Sequence, residues 1–229
     1  MPVILASGGL DSTVLFYALA KMPFAYGLDP SEEIHNFVVD YGQISYAGSV
    51  KNIEYHQSAL KMGRTIEKKI ELPLEDELAN GPMFNANVRV PTDRYPTQDD
   101  FINGRNTILL AMASAHASAH QMDVFLGLHQ EADEDTDRTM EFINSFITLQ
   151  SSGGFSKDTI REIRVPFLEN YMDKAQVACL GVHLGVPFKK TCSCPYVPVC
   201  GVCTACTGRA KATAIAEKTY ARTKRGLKK

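Results

Sequence analysis

The chain opens on a short apolar run, Val3-Ile4-Leu5, which predicts a buried strand. Ser7-Gly8-Gly9 stops it, and residues 11–22 then read as a helix. Residues 34–40 hold Phe37-Val38-Val39, a second buried strand that emerges at Asp40-Tyr41-Gly42-Gln43. Val50, Ile53 and Leu60 recur at helical spacing over residues 46–62, and the alternation over 65–72 predicts a third strand. Residues 73–101, with Pro73, Pro82, Pro91 and Pro96, read as one long irregular loop, and a segment of that length is usually functional or mobile. Ile108-Leu109-Leu110-Ala111-Met112-Ala113 is apolar nearly all round and predicts a buried helix. A strand over 122–126 ends at Gly127, and a polar segment, 129–139, leads into a helix carrying Phe142, Ile143, Phe146 and Ile147. After a turn at Ser151-Ser152-Gly153-Gly154, Val165-Pro166-Phe167 opens a further element and residues 173–185 form another helix. Strand–helix alternation of this kind predicts an α/β fold with a doubly wound parallel sheet. We divide it into a main domain, 1–188, and a cysteine-rich segment with a terminal helix and tail, 189–229.

Composition narrows the function classes. In 229 residues, 45% hydrophobic, there is enough apolar material for a substantial core. A formal net charge of −2 gives no global basic field for nucleic acid. The basic Arg222-Thr223-Lys224-Arg225 and Lys228-Lys229 read as a solvated terminus. No run reaches the about 18 apolar residues of a transmembrane helix. The N-terminus lacks the charged region of a signal peptide, so the expected location is cytoplasmic.

Two stretches carry chemistry. In Ser7-Gly8-Gly9-Leu10-Asp11-Ser12-Thr13 a Gly-rich turn joins a strand to a helix. Backbone N–H groups converge on an anion there, helped by the helix's partial positive charge. The Walker pattern is absent. Among six cysteines, five lie between Cys192 and Cys206. Overlapping Cys-x-x-Cys steps at Cys200, Cys203 and Cys206, with Cys194 just before, suit a closed tetrahedral zinc site, hence a structural one. A redox Cys-x-x-Cys and an iron–sulfur cluster are the competing readings, and Cys192 competes with Cys194 as fourth ligand. Cys179 reads as a buried small hydrophobe, and His116 and His120 as packing residues.

The hexapeptide Ser7–Ser12 resembles the pyrophosphate loop of the N-type ATP pyrophosphatases. With Asp40-Tyr41-Gly42-Gln43, Gly104-Arg105-Asn106, Asp173-Lys174 and the cysteine cluster in that order, residues 3–215 resemble the 7-cyano-7-deazaguanine synthase family. The resemblance implies an adenine nucleotide alpha hydrolase-like fold and an ATP-dependent C–N ligase. Such an enzyme turns 7-carboxy-7-deazaguanine and ammonia into the nitrile preQ0 for queuosine, through adenylated acid and amide intermediates. It implies ATP binding by Ser7, Gly8, Gly9, Leu10, Asp11, Ser12 and Thr13 with Asp40, Tyr41, Gly42 and Gln43. Asp11, Arg105 and Lys174 are the candidate catalytic residues, with Asp11 either holding Mg²⁺ or capping its helix. Arg105, Asn106, Asp133 and Asp137 are the candidate substrate-binding residues, with Asp137 either reading the base or capping the next helix. Structural zinc on Cys194, Cys200, Cys203 and Cys206, Mg²⁺ and a homodimer complete the expectation, with no direct contact to nucleic acid.

Two departures stand out. The family's Ser-Gly-Tyr-Pro-Asp-Cys-Arg stretch, associated with deazaguanine recognition, is replaced here by residues 130–139, which lack Gly-Tyr-Pro and run one residue shorter. The spacing from Cys194 to Cys200 is also short. Enzymes that stop at the amide, or use another acid, are therefore alternatives, as are tRNA thiolation and NAD synthesis. A zinc-ribbon binding module without catalysis is a further one.

Overall fold

The computed structural model describes residues 1–72, 83–85, 102, 104–130, 137–153 and 162–226. Of the proline-rich stretch only 83–85 and the approach to it are described, and Asp133 lies outside the described residues.

The strands are β1 (Pro2–Leu5), β2 (His35–Asp40), β3 (Arg64–Lys69), β4 (Asp123–Phe125) and β5 (Ile163–Arg164). They form one sheet in the order β3-β2-β1-β4-β5, and every pair is parallel. Register places Val3 beside His35 and Val124, and Leu5 beside Phe37. The two-residue period then divides each strand between two cores. Ile4, Val38 and Phe125 join one, and Val3, Phe37, Val39 and Val124 join the other. Burial on both faces explains the continuous apolar runs in the sequence.

On the first face lie α1 (Leu10–Lys21), α2 (Tyr46–Leu60), α6 (Lys174–Leu184) and the long terminal α7 (Thr204–Gly226). Ala212 and Ala216 of α7 are buried in the same core as Val14 and Val177. On the second face lie α3 (Arg105–Ala119) and α4 (Met140–Ser152). The one-turn α5 (Pro166–Glu169) follows β5.

The parallel α/β architecture agrees with the alternation read along the chain, and three local points differ. α3 buries the stripe Leu110, Ala113, Ser114 and Ala117 while Ala111 is exposed, because alanine tolerates solvent at little cost. Ser151 and Ser152 end α4 instead of forming a turn. β5 is only two residues long and pairs through Val124 and Phe125, too short for any periodic signal. Of the two histidines read as packing residues, His116 lies against Phe37 of the core while His120 is exposed, and both cluster with His35. The His35 Nδ1 and His116 Nε2 atoms are 3.2 Å apart, and the His116 and His120 rings 4.7 Å. Among the described residues no helix is long and apolar enough to cross a membrane.

Candidate active site

In this strand order the connections run outward in opposite directions from β1 and β4, and ligands in open α/β sheets bind beyond the strand ends at such a switch point. The Ser7–Gly9 turn leaves β1 there, and Gly127–Gln130 leaves β4 beside it. Gly127 lets the two meet. A Cβ at that position would stand 2.9 Å from the Asp11 carbonyl carbon and 3.0 Å from the Ser12 nitrogen.

The turn itself is tightly bounded. Gly8 has φ +65°, the left-handed region, and a Cβ there would stand 2.7 Å from the Ser49 carbonyl oxygen. Gly9 is the N-cap of α1 in extended backbone, without any side-chain cap. The Gly9 N–H donates to Ser7 Oγ (3.3 Å), Ser7 N–H to Ser12 Oγ (3.3 Å), and the two hydroxyls are 3.1 Å apart. These are long bonds within a small basket of hydroxyls and N–H groups at a helix N-terminus, suited to phosphate oxygens.

Asp11, in the first turn of α1, does not cap the helix, which removes the capping alternative. Its Oδ2 faces Lys174 Nζ at 3.5 Å and His129 Nε2 at 3.7 Å. Its Oδ1 is buried with no hydrogen-bond partner among the described residues. Lys174 is the first residue of α6, whose capping box is made by Asp173 and Gln176. A parallel bridge between Gln130 and Asp173, with Gln130 N–H donating to the Met172 carbonyl at 2.8 Å, ties that helix start to the end of β4. Sequence reasoning proposed Asp11 and Lys174 and missed His129. The available signal was its place, two residues past the glycine that closes a central parallel strand.

The β2 exit folds on itself. Gln43 accepts from the Tyr41 N–H (2.8 Å) and donates to the Val39 carbonyl (2.9 Å), and Asp40 Oδ1 accepts from the Gly42 N–H (2.9 Å). Gln43 is thus committed to holding the turn. Tyr41 presents its ring to the Arg105 guanidinium, 6.0 Å from the centroid, and to Phe84. Arg105 therefore stands with Tyr41 and not in the Asp11–Lys174 pair. Its neighbour Asn106 donates to the Asp137 main-chain carbonyl at 3.4 Å. The N-cap of α4 is Thr139, whose hydroxyl accepts from the Phe142 N–H, so Asp137 is not a cap. Like Asp11, Asp137 has a buried Oδ1 with no hydrogen-bond partner among the described residues.

The cysteine cluster is compact. Ligand atoms of Cys194, Cys200, Cys203 and Cys206 lie within 4.8 Å of one another, and Cys192 is outside the group. Cys194 Sγ and Cys200 Sγ are 3.6 Å apart, close to the about 3.8 Å edge of a tetrahedral Zn–S₄ site. Backbone N–H groups of Cys200 and Cys203 donate to neighbouring sulfurs at 3.4 Å. Burial pushes the Cys203 thiol up to about 11. At Cys200 burial acts in the same direction, but hydrogen bonds from the Cys203 and Val202 N–H groups outweigh it and bring the thiol down to about 7. Four crowded sulfurs cannot all ionise without a cation among them, so the donor set fits a metal. The cluster packs through Cys194, Cys203 and Tyr196 against Met83 and Ile102, with Tyr41 and Phe84 at the edge.

The family model described as Queuosine biosynthesis protein QueC matches residues 1–217. The 7-cyano-7-deazaguanine synthase of Sulfurihydrogenibium sp. is 31% identical over 219 residues, 92% of each chain. That of Aquifex aeolicus is 30% identical over 221 residues, 92% of this chain and 94% of its own. That of Halobacterium salinarum is 29% identical over 222 residues, 92% of this chain and 89% of its own. Among solved structures, the U34-tRNA thiolase NcsA from Methanococcus maripaludis aligns over 95% of this chain and 65% of its own, at 11% identity and TM-score 0.48. The chain, from its glycine turn through its cysteine cluster, belongs to the QueC family of queuosine-biosynthesis proteins.

Proposed function

We propose that this protein converts 7-carboxy-7-deazaguanine and ammonia to 7-cyano-7-deazaguanine, consuming two molecules of ATP. The observation that carries the reading is the meeting of Asp11, Lys174 and His129 beside the Gly8-Gly9 turn at the sheet's switch point. Relatives named for this activity match 92% of this chain at 30–31% identity.

A carboxylate is a poor electrophile, so the reaction begins by activating it. One carboxylate oxygen attacks the α-phosphorus of ATP, the bond to the bridging oxygen of pyrophosphate breaks, and an acyl-adenylate forms. The Ser7–Gly9 turn holds the departing pyrophosphate with N–H and hydroxyl donors. Lys174 stabilises charge on the α-phosphate as the bond order changes. Ammonia adds to the acyl carbon, AMP leaves and a proton is lost, giving the primary amide. The amide oxygen then attacks a second ATP, again releasing pyrophosphate. Loss of AMP and of both protons on the nitrogen from that adenylate leaves the nitrile. His129, beside Asp11, is the proposed base for a proton leaving nitrogen.

Asp11, whose Oδ1 is unpartnered among the described residues, would hold Mg²⁺, which when bound neutralises phosphate charge. The Asp137 carboxylate and Asn106 are the proposed readers of the base edge, with Arg105 facing phosphate or carboxylate. Cys194, Cys200, Cys203 and Cys206 hold zinc as a structural ion.

The replaced 130–139 stretch favours one alternative, arrest at the amide. Mass spectrometry of products from 7-carboxy-7-deazaguanine, ATP and ammonium tests both. A nitrile mass with two AMP per turnover supports the full reaction, whereas an amide with one AMP supports arrest. Neither product from a metal-loaded, ATP-binding protein rules out this substrate.

A further inference from the structure

The four-cysteine cluster and the nucleotide turn are usually separate matters, one structural and one catalytic, but here a three-residue strap joins them. The Cys192 N–H donates to the Gly8 carbonyl at 3.0 Å. Ser193 Oγ accepts from the Leu10 N–H at 3.4 Å, the first N–H of α1. Above Gly9, where a Cβ would point, the nearest atoms are Ser7 Oγ at 3.2 Å, Ser193 Oγ at 3.4 Å and the Cys192 carbonyl oxygen at 3.6 Å. Residues 192–193 are therefore one wall of the turn. The next residue along the chain is Cys194, buried and within 3.6 Å of Cys200 Sγ. The other end is anchored on α7. Arg209 donates to Thr191 Oγ1 at 3.3 Å and to the Phe188 carbonyl, and Thr191 is itself buried.

We propose that Ser193 is a positioning residue of the ATP turn, and that filling the cysteine site sets the turn's affinity for the nucleotide's phosphates. The proposal rests on the reading of residues 7–13 as the ATP turn. Consecutive Cα atoms are about 3.8 Å apart, so a metal that fixes Cys194 fixes Ser193 to within its own rotation. Among the described residues, the hydrogen bonds from 192–193 to the turn are one backbone bond and one long hydroxyl bond, and an open cluster leaves their register to these. The N–H groups of the first helical turn have no intrahelical partner and are the donors that a phosphate takes. Ser193 keeps the Leu10 N–H oriented while leaving it weakly bound at 3.4 Å, and its own O–H remains able to donate to a phosphate oxygen. Preorganisation of this kind raises affinity by removing an ordering cost from the binding step.

The test is calorimetric binding of α,β-methylene-ATP with magnesium to four forms of the full chain. These are metal-loaded wild type, metal-stripped wild type, Ser193→Ala loaded, and Ser193→Ala stripped. Metal content and thermal unfolding are measured on each, and Ser193→Thr is the conservative control. We expect loaded Ser193→Ala to keep its metal and its unfolding temperature while binding about five- to tenfold more weakly, the worth of one such hydrogen bond. Ser193→Thr should restore most of that affinity. Stripping should cost at least as much in wild type, and the Ser193→Ala substitution should cost little more once the metal is gone, because the strap is already released. Equal affinity of loaded wild type and loaded Ser193→Ala overturns the proposal. So does a double form whose two losses simply multiply. If stripping unfolds the chain, the loaded Ser193→Ala and Ser193→Thr forms decide alone. Absence of any binding to loaded wild type is a different failure, since it overturns the ATP reading together with everything built on it.

Discussion

Gly8 and Gly9 stand side by side in the turn but do different work, and alanine at each should separate fold from ligand. At Gly8 the φ of +65° costs an L-residue about 1–2 kcal/mol. Its methyl would also stand 2.7 Å from the Ser49 carbonyl oxygen and 3.0 Å from the Ser49 Cα. Both are backbone atoms of α2 and cannot rotate away, so the helix must shift, at about 1–3 kcal/mol for overpacking. Together Gly8→Ala should destabilise by about 2–5 kcal/mol. In a chain of this size that lowers the midpoint of thermal unfolding by about 4–20 °C. At Gly9 the backbone is extended and the nearest atoms are hydroxyls of Ser7 and Ser193 that can turn aside. Gly9→Ala should stay within about 1 kcal/mol of wild type, the ordinary difference among N-cap residues. Its methyl nevertheless enters the basket, so ATP affinity should fall. The assay is urea and thermal unfolding alongside ATP binding for both variants. Gly8→Ala within about 1 kcal/mol of wild type would refute the close-approach argument. Equal destabilisation by the two substitutions would refute the division between them.

Four further outcomes follow from the geometry. Lys174→Met should lower kcat by about 10²–10³, with ATP still bound, if the ammonium acts on charge in the transition state; an unchanged kcat removes it from that role. The metal-loaded chain should carry about one zinc, Cys203→Ser should lose it, and Cys192→Ser should keep it, as read by metal analysis. Burial, reinforced by His120 and His35, holds His116 down to about 4 against an ordinary value of 6.5, so the unfolded chain binds the proton more readily. Stability should be full above pH 6.5 and fall as pH drops toward 4, and His116→Gln should flatten that part of a pH–denaturation profile. Asp137→Asn should cut turnover of 7-carboxy-7-deazaguanine by orders of magnitude with ATP binding and unfolding temperature unchanged; parallel loss of stability would assign it a structural role.

Much of the fold was legible because both faces of the sheet are covered. Such strands must be apolar throughout, and Val3-Ile4-Leu5 and Phe37-Val38-Val39 announce themselves. β5 was not, since two paired residues carry no period. The turn at Ser7-Gly8-Gly9 and the cysteine spacing were visible as local strings, and so was the family. What a string cannot carry is contact between distant segments. His129 meets Asp11 only because Gly127 admits the backbone of α1, and Ser193 meets Leu10 across 183 positions of sequence. The histidine cluster was hidden for the same reason. Its third member, His35, belongs to β2, and register alone brings it under α3.

Among the described residues, Asp11 Oδ1 and Asp137 Oδ1 are buried without a hydrogen-bond partner, and in the reading we propose they take different ligands. Leaving such an atom unsatisfied costs about 1–3 kcal/mol, more when it is charged, so a ligand that supplies the partner gains by it. Asp11 sits in the first turn of the helix that starts at the basket of N–H and hydroxyl donors, and its Oδ1 is buried without a hydrogen-bond partner among the described residues. In the reading we propose, a divalent cation would satisfy both the oxygen and the phosphates, which is the argument for magnesium at that point. Asp137 Oδ1 has a different neighbourhood. Its own main-chain carbonyl is already held by Asn106, so the loop before α4 is fixed while the carboxylate is not. A carboxylate held in that way accepts from N–H donors, and a guanine-like edge presents them. In the reading we propose, Asp137 keeps a buried acceptor on a loop that Asn106 holds, although the Gly-Tyr-Pro expected in 130–139 is absent. That retention is why the deazaguanine acid, and not an unrelated carboxylate, remains the substrate we assign.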